Sequence, residues 1–155
     1  MSSLKNPRVY SGSINVLDTC LQLARLSKSK RMGFGAVLVV DGVRYVGRNR
    51  QLSRLEKPPF PTCPWSIHAE QDAVWCAIQS GVDPRGGIMY IAGVFNDTGE
   101  VYIVKDNVST CPRCFLLREK YGFSTRMLTE HGWRKPRGFK KVEGAVGFRR
   151  SNTSR

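Results

Sequence analysis

The chain has 155 residues and a formal charge of +13, from 25 Lys and Arg against 12 Asp and Glu. This length predicts one domain that can bury a core, and a hydrophobic fraction of 41% excludes a disordered or low-complexity chain. The longest apolar runs, 36–40 and 90–95, are too short to cross a bilayer. The first 13 residues are polar and lack the apolar segment of a signal peptide. We therefore expect a soluble, cytoplasmic protein with no membrane partner.

The charge is concentrated at the two ends. Residues 1–35 carry six basic side chains against one acidic, residues 36–130 carry eleven against ten, and residues 131–155 carry eight against one. Basic ends favour phosphate-bearing partners such as RNA or single-stranded DNA, with binding that weakens in salt. They are equally compatible with a solubilising or disordered tail. The change of composition after Glu130 predicts a domain over 1–130 and a basic tail over 131–155.

The first half of the chain predicts a helix, a hairpin and a loop. Residues 14–29 place apolar side chains at helical spacing, with Ser13 as the N-cap. Two β-rich runs then flank Asp41-Gly42, which is a strong hairpin signal. Residues 49–66 contain four prolines and predict a loop.

The second half alternates helices and strands. A helix from about Ile67 ends at Gly81, and its small residues predict one closely packed face: Ala69, Ala73, Cys76 and Ala77. Strands follow at 88–95 and 101–104, a helix opens at Pro112 and continues to about Tyr121, and a last strand covers 123–130. This order predicts an α/β fold, a sheet with helices packed on it.

Two helix starts carry side chains that suit a metal site. His68 and Glu70 lie at one, and Cys111 and Cys114 form a CxxC at the other. A histidine and two cysteines leave the fourth position of a tetrahedral Zn²⁺ open for water, as in catalytic zinc sites. Positive helix N-termini favour thiolates there, and Glu70, next to the metal, is placed to act as the general acid and base.

These motifs resemble the zinc-dependent cytidine/deoxycytidylate deaminase superfamily, whose signature is H-x-E followed by P-C-x-x-C. The resemblance extends to 33–39, which is similar to the family's first strand, and to 47–50, which is similar to a G-x-N-x segment of deoxycytidylate and transfer-RNA adenosine deaminases. It covers about residues 13–130. Two features depart from the pattern: Thr110 replaces the proline, and residues 96–107 lengthen the interval between the motifs. We expect this longer segment to border the pocket.

The resemblance implies a three-layer α-β-α fold with a five-stranded mixed sheet and helices on both faces. It implies one Zn²⁺ per chain on His68, Cys111 and Cys114, with Glu70 moving protons during hydrolytic deamination at C4 of cytosine or C6 of adenine. Asn49 and Ala69 would contact the substrate. The implied partner is a nucleotide such as CMP or dCMP, in nucleotide metabolism, and the implied assembly is a homo-oligomer.

Two alternatives stay open at this stage. A deaminase of this type could instead act on bases in RNA or single-stranded DNA, as the basic ends favour. Alternatively, Cys63 could complete a closed Cys3His site, which would make the protein a structural-zinc nucleic-acid-binding module. Phe60 and Trp65, just before His68, are either core residues or base-stacking residues. Trp75 and Cys76 are expected to be packing residues.

Overall fold

A seven-stranded mixed sheet lies between helices in the structure, a computed structural model that describes residues 9–11, 15–27, 31–104 and 111–136. The helices are α1 (Val16–Leu26), α2 (Ala69–Gln79) and α3 (Pro112–Tyr121). The strands are β1 (Val9–Ser11), β2 (Met32–Val40), β3 (Val43–Arg48), β4 (Arg50–Gln51), β5 (Ser66–Ile67), β6 (Ile88–Phe95), β7 (Val101–Tyr102), β8 (Ser124–Thr129) and β9 (Gly132–Arg134). The three-layer α/β prediction is confirmed.

The sheet has two more strands than the five predicted. Its order is β1-β3-β2-β6-β8-β9, with β7 also paired to β6. The additional strands are β1, which pairs with β3, and β9, which pairs with β8. Both have three residues, too few for a hydrophobic pattern to show in the sequence.

Strand direction brings two helix starts to one edge of the sheet. All neighbouring strands are antiparallel except β6 and β8, which are parallel. Helix α2 leads into β6, and α3 leads into β8. Since a helix that connects parallel strands runs back along the sheet, α2 and α3 begin at the same edge. Ligands of open α/β sheets bind at this carboxyl edge of parallel strands.

The predicted hairpin is confirmed. Strands β2 and β3 pair in register from Gly35 with Arg48 to Val40 with Val43. The connecting residues, Asp41 and Gly42, have φ values of 50° and 79°, as a two-residue hairpin turn requires.

Helix α1 packs on one face of this hairpin and begins at Asn15. The Asn15 Oδ1 accepts a hydrogen bond from the Asp18 N–H at 3.2 Å, so Asn15 is the N-cap and the prediction of Ser13 was wrong. A side chain on Gly35 would place its Cβ 2.0 Å from the Cys20 carbonyl oxygen. The glycine therefore allows the helix backbone to lie directly on the strand.

Helix α2 packs on the opposite face through small residues. Its predicted packing face is confirmed, since Ala69, Ala73, Cys76 and Ala77 are at most 1% exposed. A Cβ on Gly47 in β3 would lie 2.3 Å from the Ala73 backbone nitrogen. This close approach fixes the height of α2, and with it the position of the helix start, above the sheet.

The proline-rich loop is held at both ends. Strands β4 and β5 pair Arg50 with Ile67, and the Leu52 N–H donates to the Trp65 carbonyl at 2.8 Å. Between them, the buried Gln71 side chain of α2 donates to the Pro61 carbonyl at 2.9 Å. The predicted loop is therefore closed at its ends by the two-stranded β4–β5 sheet and is bonded to α2 through Gln71.

The fold continues past the predicted domain boundary at residue 130. Strand β9 extends the sheet, and its Trp133 ring packs edge-on against Tyr90 with 5.1 Å between ring centroids. The rest of the predicted tail, residues 137–155, lies outside the described residues. Among the three helices that the structure describes, none is long and apolar enough to cross a membrane.

Candidate metal centre and active site

The candidate site is built from the first residues of α2 and α3. His68 immediately precedes α2 and Cys111 immediately precedes α3, both with extended backbone, and the Cys111 side chain does not cap α3. At α2, Gln71 stabilises the helix start, because its Oε1 accepts the His68 backbone N–H at 2.9 Å. The two N-cap side chains can therefore point toward each other across the sheet edge.

The structure brings together three of the predicted site residues. The Nδ1 atom of His68 lies 3.4 Å from the Cys114 Sγ and 3.8 Å from the Cys111 Sγ, and all three ligand atoms lie within 4.8 Å of one another. Tetrahedral Zn²⁺ with ordinary Zn–S and Zn–N bond lengths would separate such atoms by about 3.6 Å. The donor set and spacing therefore fit a zinc ion.

Hydrogen bonds among His68, Cys111 and Cys114 shift the pKa values of all three side chains. A hydrogen bond with Cys114 lowers the pKa of Cys111 to about 4, against the opposing effect of burial. The hydrogen bond between His68 and Cys111 raises the pKa of His68 to about 9. The pKa of Cys114 lies well above its ordinary value, because of the hydrogen bond with Cys111 and because of burial. Metal ligands must be deprotonated, so binding a metal here releases protons from His68 and Cys114.

Glu70 lies in the first turn of α2, two residues after His68. Burial raises the pKa of its carboxyl group, and the nearby His68 acts in the opposite direction. Glu70 is not a member of the three-residue group that could hold a metal. The structure thus places a carboxyl group with a raised pKa beside the cluster, as proton transfer requires.

A cavity of about 300 Å³ opens onto the three-residue cluster. Its lining contains the predicted site residues Asn49, Ala69 and Glu70 together with His68 and Cys111. The remaining walls are apolar and comprise Phe34, Ile91 and Met127. An apolar cleft with a few convergent polar groups is typical of a small-molecule site.

Asn49 is held in place by the backbone of β2. Its Oδ1 accepts the Phe34 N–H at 2.8 Å, and its Nδ2 donates to the Met32 carbonyl at 3.1 Å. An amide side chain has two donor hydrogens and two acceptor positions, so these bonds use half of its capacity. The substrate contacts of Asn49 and Ala69 stay predictions.

Cys63 lies on the other side of the His68 ring. Its Sγ is 3.9 Å from Nε2, whereas Cys111 and Cys114 face Nδ1. The Arg113 guanidinium donates to the same Cys63 sulfur at 3.2 Å. The group of possible metal ligands found among the described residues does not include Cys63. This placement does not form the closed Cys3His set that the sequence left open.

The two aromatic residues before His68 have opposite environments. Phe60 is 8% exposed and packs edge-on against Tyr121, with 6.3 Å between ring centroids. Trp65 is 67% exposed and has a φ of 63°, which is unusual for a bulky residue. Phe60 is therefore a core residue, while Trp65 is free to contact a ligand. The expected packing roles of Trp75 and Cys76 are confirmed, since both are buried.

The longer interval between the motifs forms a hairpin beside the cavity. Strand β7 pairs Tyr102 with Gly93 of β6. The Tyr102 ring packs edge-on against Phe34, a cavity wall, with 6.1 Å between ring centroids. Up to Val104, this segment contacts the cavity wall through Phe34 but does not itself line the cavity. That the segment borders the pocket stays a prediction. Residues 105–110, including Thr110, lie outside the described residues.

A partly buried ion network, centred on Arg50, was not predicted. The Asp72 carboxylate of α2, 1% exposed, accepts from the Arg50 guanidinium at 2.9 Å and from the Arg48 backbone N–H at 3.1 Å. Arg50 also pairs with Glu56 at 2.9 Å. Burial opposes ionisation of Glu56, but the Ser53 N–H and Arg50 hold its pKa below the usual value. The network fastens the loop to the first turn of α2, and its wide sequence spacing offers no motif.

Solved cytidine deaminases share this fold. The enzyme from Burkholderia pseudomallei matches with a TM-score of 0.52 and 15% identity over 77% of this chain and 87% of that one. The enzyme from Mycobacterium tuberculosis matches at 0.50 and 19%, over 77% and 86%. A dCMP deaminase from the cyanophage S-TIM5 is 21% identical over 73% of this chain and 78% of that one. Its TM-score is 0.43, too low to support a shared fold. No family model and no curated protein sequence matches significantly. The chain has the cytidine deaminase fold, which confirms the fold that its motifs implied.

Proposed function

We propose that this protein is a zinc-dependent hydrolytic deaminase that converts cytosine to uracil in a nucleotide such as CMP or dCMP. One observation carries the proposal: the His68, Cys111 and Cys114 ligand atoms lie within 4.8 Å of one another, and two of these residues, His68 and Cys111, line a cavity that Glu70 also lines. The comparisons support the fold, and the chemistry rests on this cluster.

His68, Cys111 and Cys114 would hold the metal, which leaves one tetrahedral position open. A zinc ion in such a site acidifies water at neutral pH. Glu70 would take one proton from the attacking water and give it to the ring nitrogen N3 while the water oxygen bonds to C4. It would then pass the second proton, from the oxygen now bonded to C4, to the amino group, so that C4=O forms as the amine leaves. The net reaction consumes one water, breaks the C4–N bond and releases ammonia.

The cavity suits one base with part of its sugar. Its volume of about 300 Å³ lies at the lower end of the range for small-molecule sites, about 300–1,000 Å³. Phe34, Ile91 and Met127 supply apolar surface for the faces of a ring and exclude bulk water. Asn49, fixed by two hydrogen bonds to β2, presents a rigid polar group at the same cavity.

A second candidate is a deaminase of RNA or single-stranded DNA. The observation that favours it is Trp65, a 67% exposed aromatic side chain three residues before His68. Exposed aromatic rings stack on bases of single strands, and an unpaired base could enter the same cavity. The basic residues of 137–155 would add phosphate contacts.

The proposed chemistry is tested by Glu70→Gln, which preserves the shape of the side chain but cannot accept the proton. We expect the variant to keep one zinc per chain and to lose at least about 100-fold in ammonia release, the lower range for a general acid–base group. Zinc content is measured by mass spectrometry, and ammonia release with cytidine, CMP, dCMP, adenosine, single-stranded DNA and transfer RNA. Unchanged turnover in the variant, or no turnover of any substrate by the zinc-loaded protein, contradicts the proposal.

The size of the substrate is tested by removing residues 137–155, since β9 and Trp133 are part of the sheet. If a polynucleotide is the substrate, this deletion lowers turnover of single-stranded DNA or transfer RNA and leaves CMP and dCMP unaffected. The salt dependence of binding also becomes weaker, because fewer phosphates are neutralised. Turnover of free nucleotides alone, unchanged by the deletion, rejects the polynucleotide candidate.

A further inference from the structure

The two ring nitrogens of His68 face different sulfur atoms. Nδ1 faces Cys114 and Cys111, whereas Nε2 faces Cys63 at 3.9 Å. The lone pairs of an imidazole ring point away from each other, so a metal bound at Nδ1 lies on the side opposite Cys63. Cys63 is therefore a neighbour of the ligand and not a fourth ligand.

We propose that Cys63 is a positioning residue for the metal site, which accepts the Nε2–H of His68 and thereby holds the ring with Nδ1 directed at the metal. This inference rests on the proposed zinc site. A neutral imidazole that binds a metal through one nitrogen carries its proton on the other. Metal-bound histidines donate that proton to a group that fixes the tautomer and the orientation of the ring.

Arg113 holds the Cys63 sulfur in place. Its guanidinium donates to Sγ at 3.2 Å, and Arg113 lies on α3 between the two ligand cysteines. The helix that supplies both thiols therefore also orients the sulfur that contacts the third ligand. The His68 ring, at the start of α2, is therefore contacted both by Cys63 of the proline-rich loop and by Cys114 of α3.

The backbone around Cys63 is also specialised. Cys63 forms a β-bridge with Ser66, whose N–H donates to the Cys63 carbonyl at 3.2 Å. This tight turn places Trp65 in the left-handed region with a φ of 63°. Such a conformation is costly for a bulky residue and persists only where the surroundings impose it. The turn brings the Cys63 sulfur to the edge of the ring only five residues before His68.

The test measures zinc affinity by competition with a chelator, together with the absorption spectrum of the Co²⁺-substituted protein. Cys63→Val keeps a similar volume but removes the acceptor, and we expect its zinc dissociation constant to rise about 10- to 100-fold. Cys63→Ser restores an acceptor and should recover part of this loss. Cys20→Ala removes a buried thiol of α1 and should leave zinc affinity unchanged.

The Co²⁺ spectrum separates positioning from ligation. If Cys63 acts through His68, the thiolate-to-Co²⁺ charge-transfer intensity of Cys63→Val equals that of the wild type, since both have two thiolate ligands. A fall by about one third, as expected when one of three thiolate ligands is lost, shows that Cys63 is a ligand and overturns the proposal. Wild-type zinc affinity in Cys63→Val also overturns it.

Two further measurements keep the test decisive. Circular dichroism of the metal-free proteins shows whether each variant folds. If Cys63→Val does not fold, the exposed Arg113→Gln tests the same contact, and unchanged zinc affinity in that variant overturns the proposal. None of these measurements uses turnover. A protein that binds zinc as expected but releases no ammonia would refute the proposed function and leave the role of Cys63 intact.

Discussion

The two faces of the sheet are built in the same way but differ in what their helices do. On one face, α1 approaches the sheet over Gly35, and on the other, α2 approaches over Gly47. The Asn15 side chain caps α1, α2 begins with a capping box between His68 and Gln71, and α3 begins without a side-chain cap. Only the helices α2 and α3 bring their N-cap side chains, His68 and Cys111, close to each other. We call the face of the sheet that carries these two helices the functional face.

We expect the largest difference between the two faces when one cysteine thiol is removed from each face and zinc binding and activity are compared. Cys114→Ser removes one of the three proposed metal ligands and should abolish stoichiometric zinc binding and reduce ammonia release to background. Cys20→Ala, in α1, should retain zinc and activity and lower the free energy of unfolding by about 1 kcal/mol. Zinc content, turnover and urea denaturation of both variants measure this contrast. Equal zinc content in the two variants would contradict the proposed role of Cys114 as a metal ligand.

The next largest effect is expected from substituting the two glycines at which a helix backbone lies directly on the sheet. A Cβ at Gly35 would meet the Cys20 carbonyl oxygen at 2.0 Å, and one at Gly47 would meet the Ala73 nitrogen at 2.3 Å. Gly35→Ala and Gly47→Ala should each destabilise the protein by about 1–3 kcal/mol or more, because backbone must shift in both. Only Gly47→Ala moves the helix that carries His68 and Glu70. Its zinc affinity should therefore fall relative to Gly35→Ala, in chelator competition on the folded fraction, and equal affinities would contradict the distinction.

The smallest expected effect is the pH dependence contributed by Glu56. Its pKa is lowered in the folded state, so its contribution to stability is present above the unfolded pKa and is lost as the pH falls through the folded pKa. Glu56→Gln should reduce the free energy of unfolding at pH 7 by less than about 1 kcal/mol, because the pair is partly exposed. The difference from wild type should vanish at acidic pH in urea denaturation. A difference that stays constant from pH 7 to pH 3 would assign the effect to packing.

Local patterns predicted the parts of the fold that local interactions determine. Asp41-Gly42 specified its hairpin because both residues tolerate positive φ. Pro112 and Gly122 marked the two ends of α3. The grouping of His68 with Cys111 and Cys114 followed from a motif, since residue type and spacing together define the donor set. The three ligand atoms of this donor set lie within 4.8 Å of one another, a spacing that fits a zinc ion.

Features that depend on distant pairing had no local signal. Strand β9 lies within a basic run that also suits a tail, and only its contact with β8 makes it a strand. Phe60 and Trp65 are similar in sequence context, yet Phe60 is buried against Tyr121 while Trp65 is exposed within the tight turn of residues 63–66. The network of Arg50 with Asp72 and Glu56 joins separate elements. The sequence also could not show that the Cys63 sulfur faces Nε2 of the His68 ring and not Nδ1.

The anchored ends of the proline-rich loop separate variation on its surface from the candidate site. The Leu52–Trp65 hydrogen bond and the β4–β5 ladder close the loop next to the site. Between these anchors, residues 54 and 55 are exposed. Insertions there would cost little entropy, because the cost of closing a loop grows only with the logarithm of its length. Evolution could therefore change this part of the surface while the cluster of His68, Cys111 and Cys114 keeps its geometry.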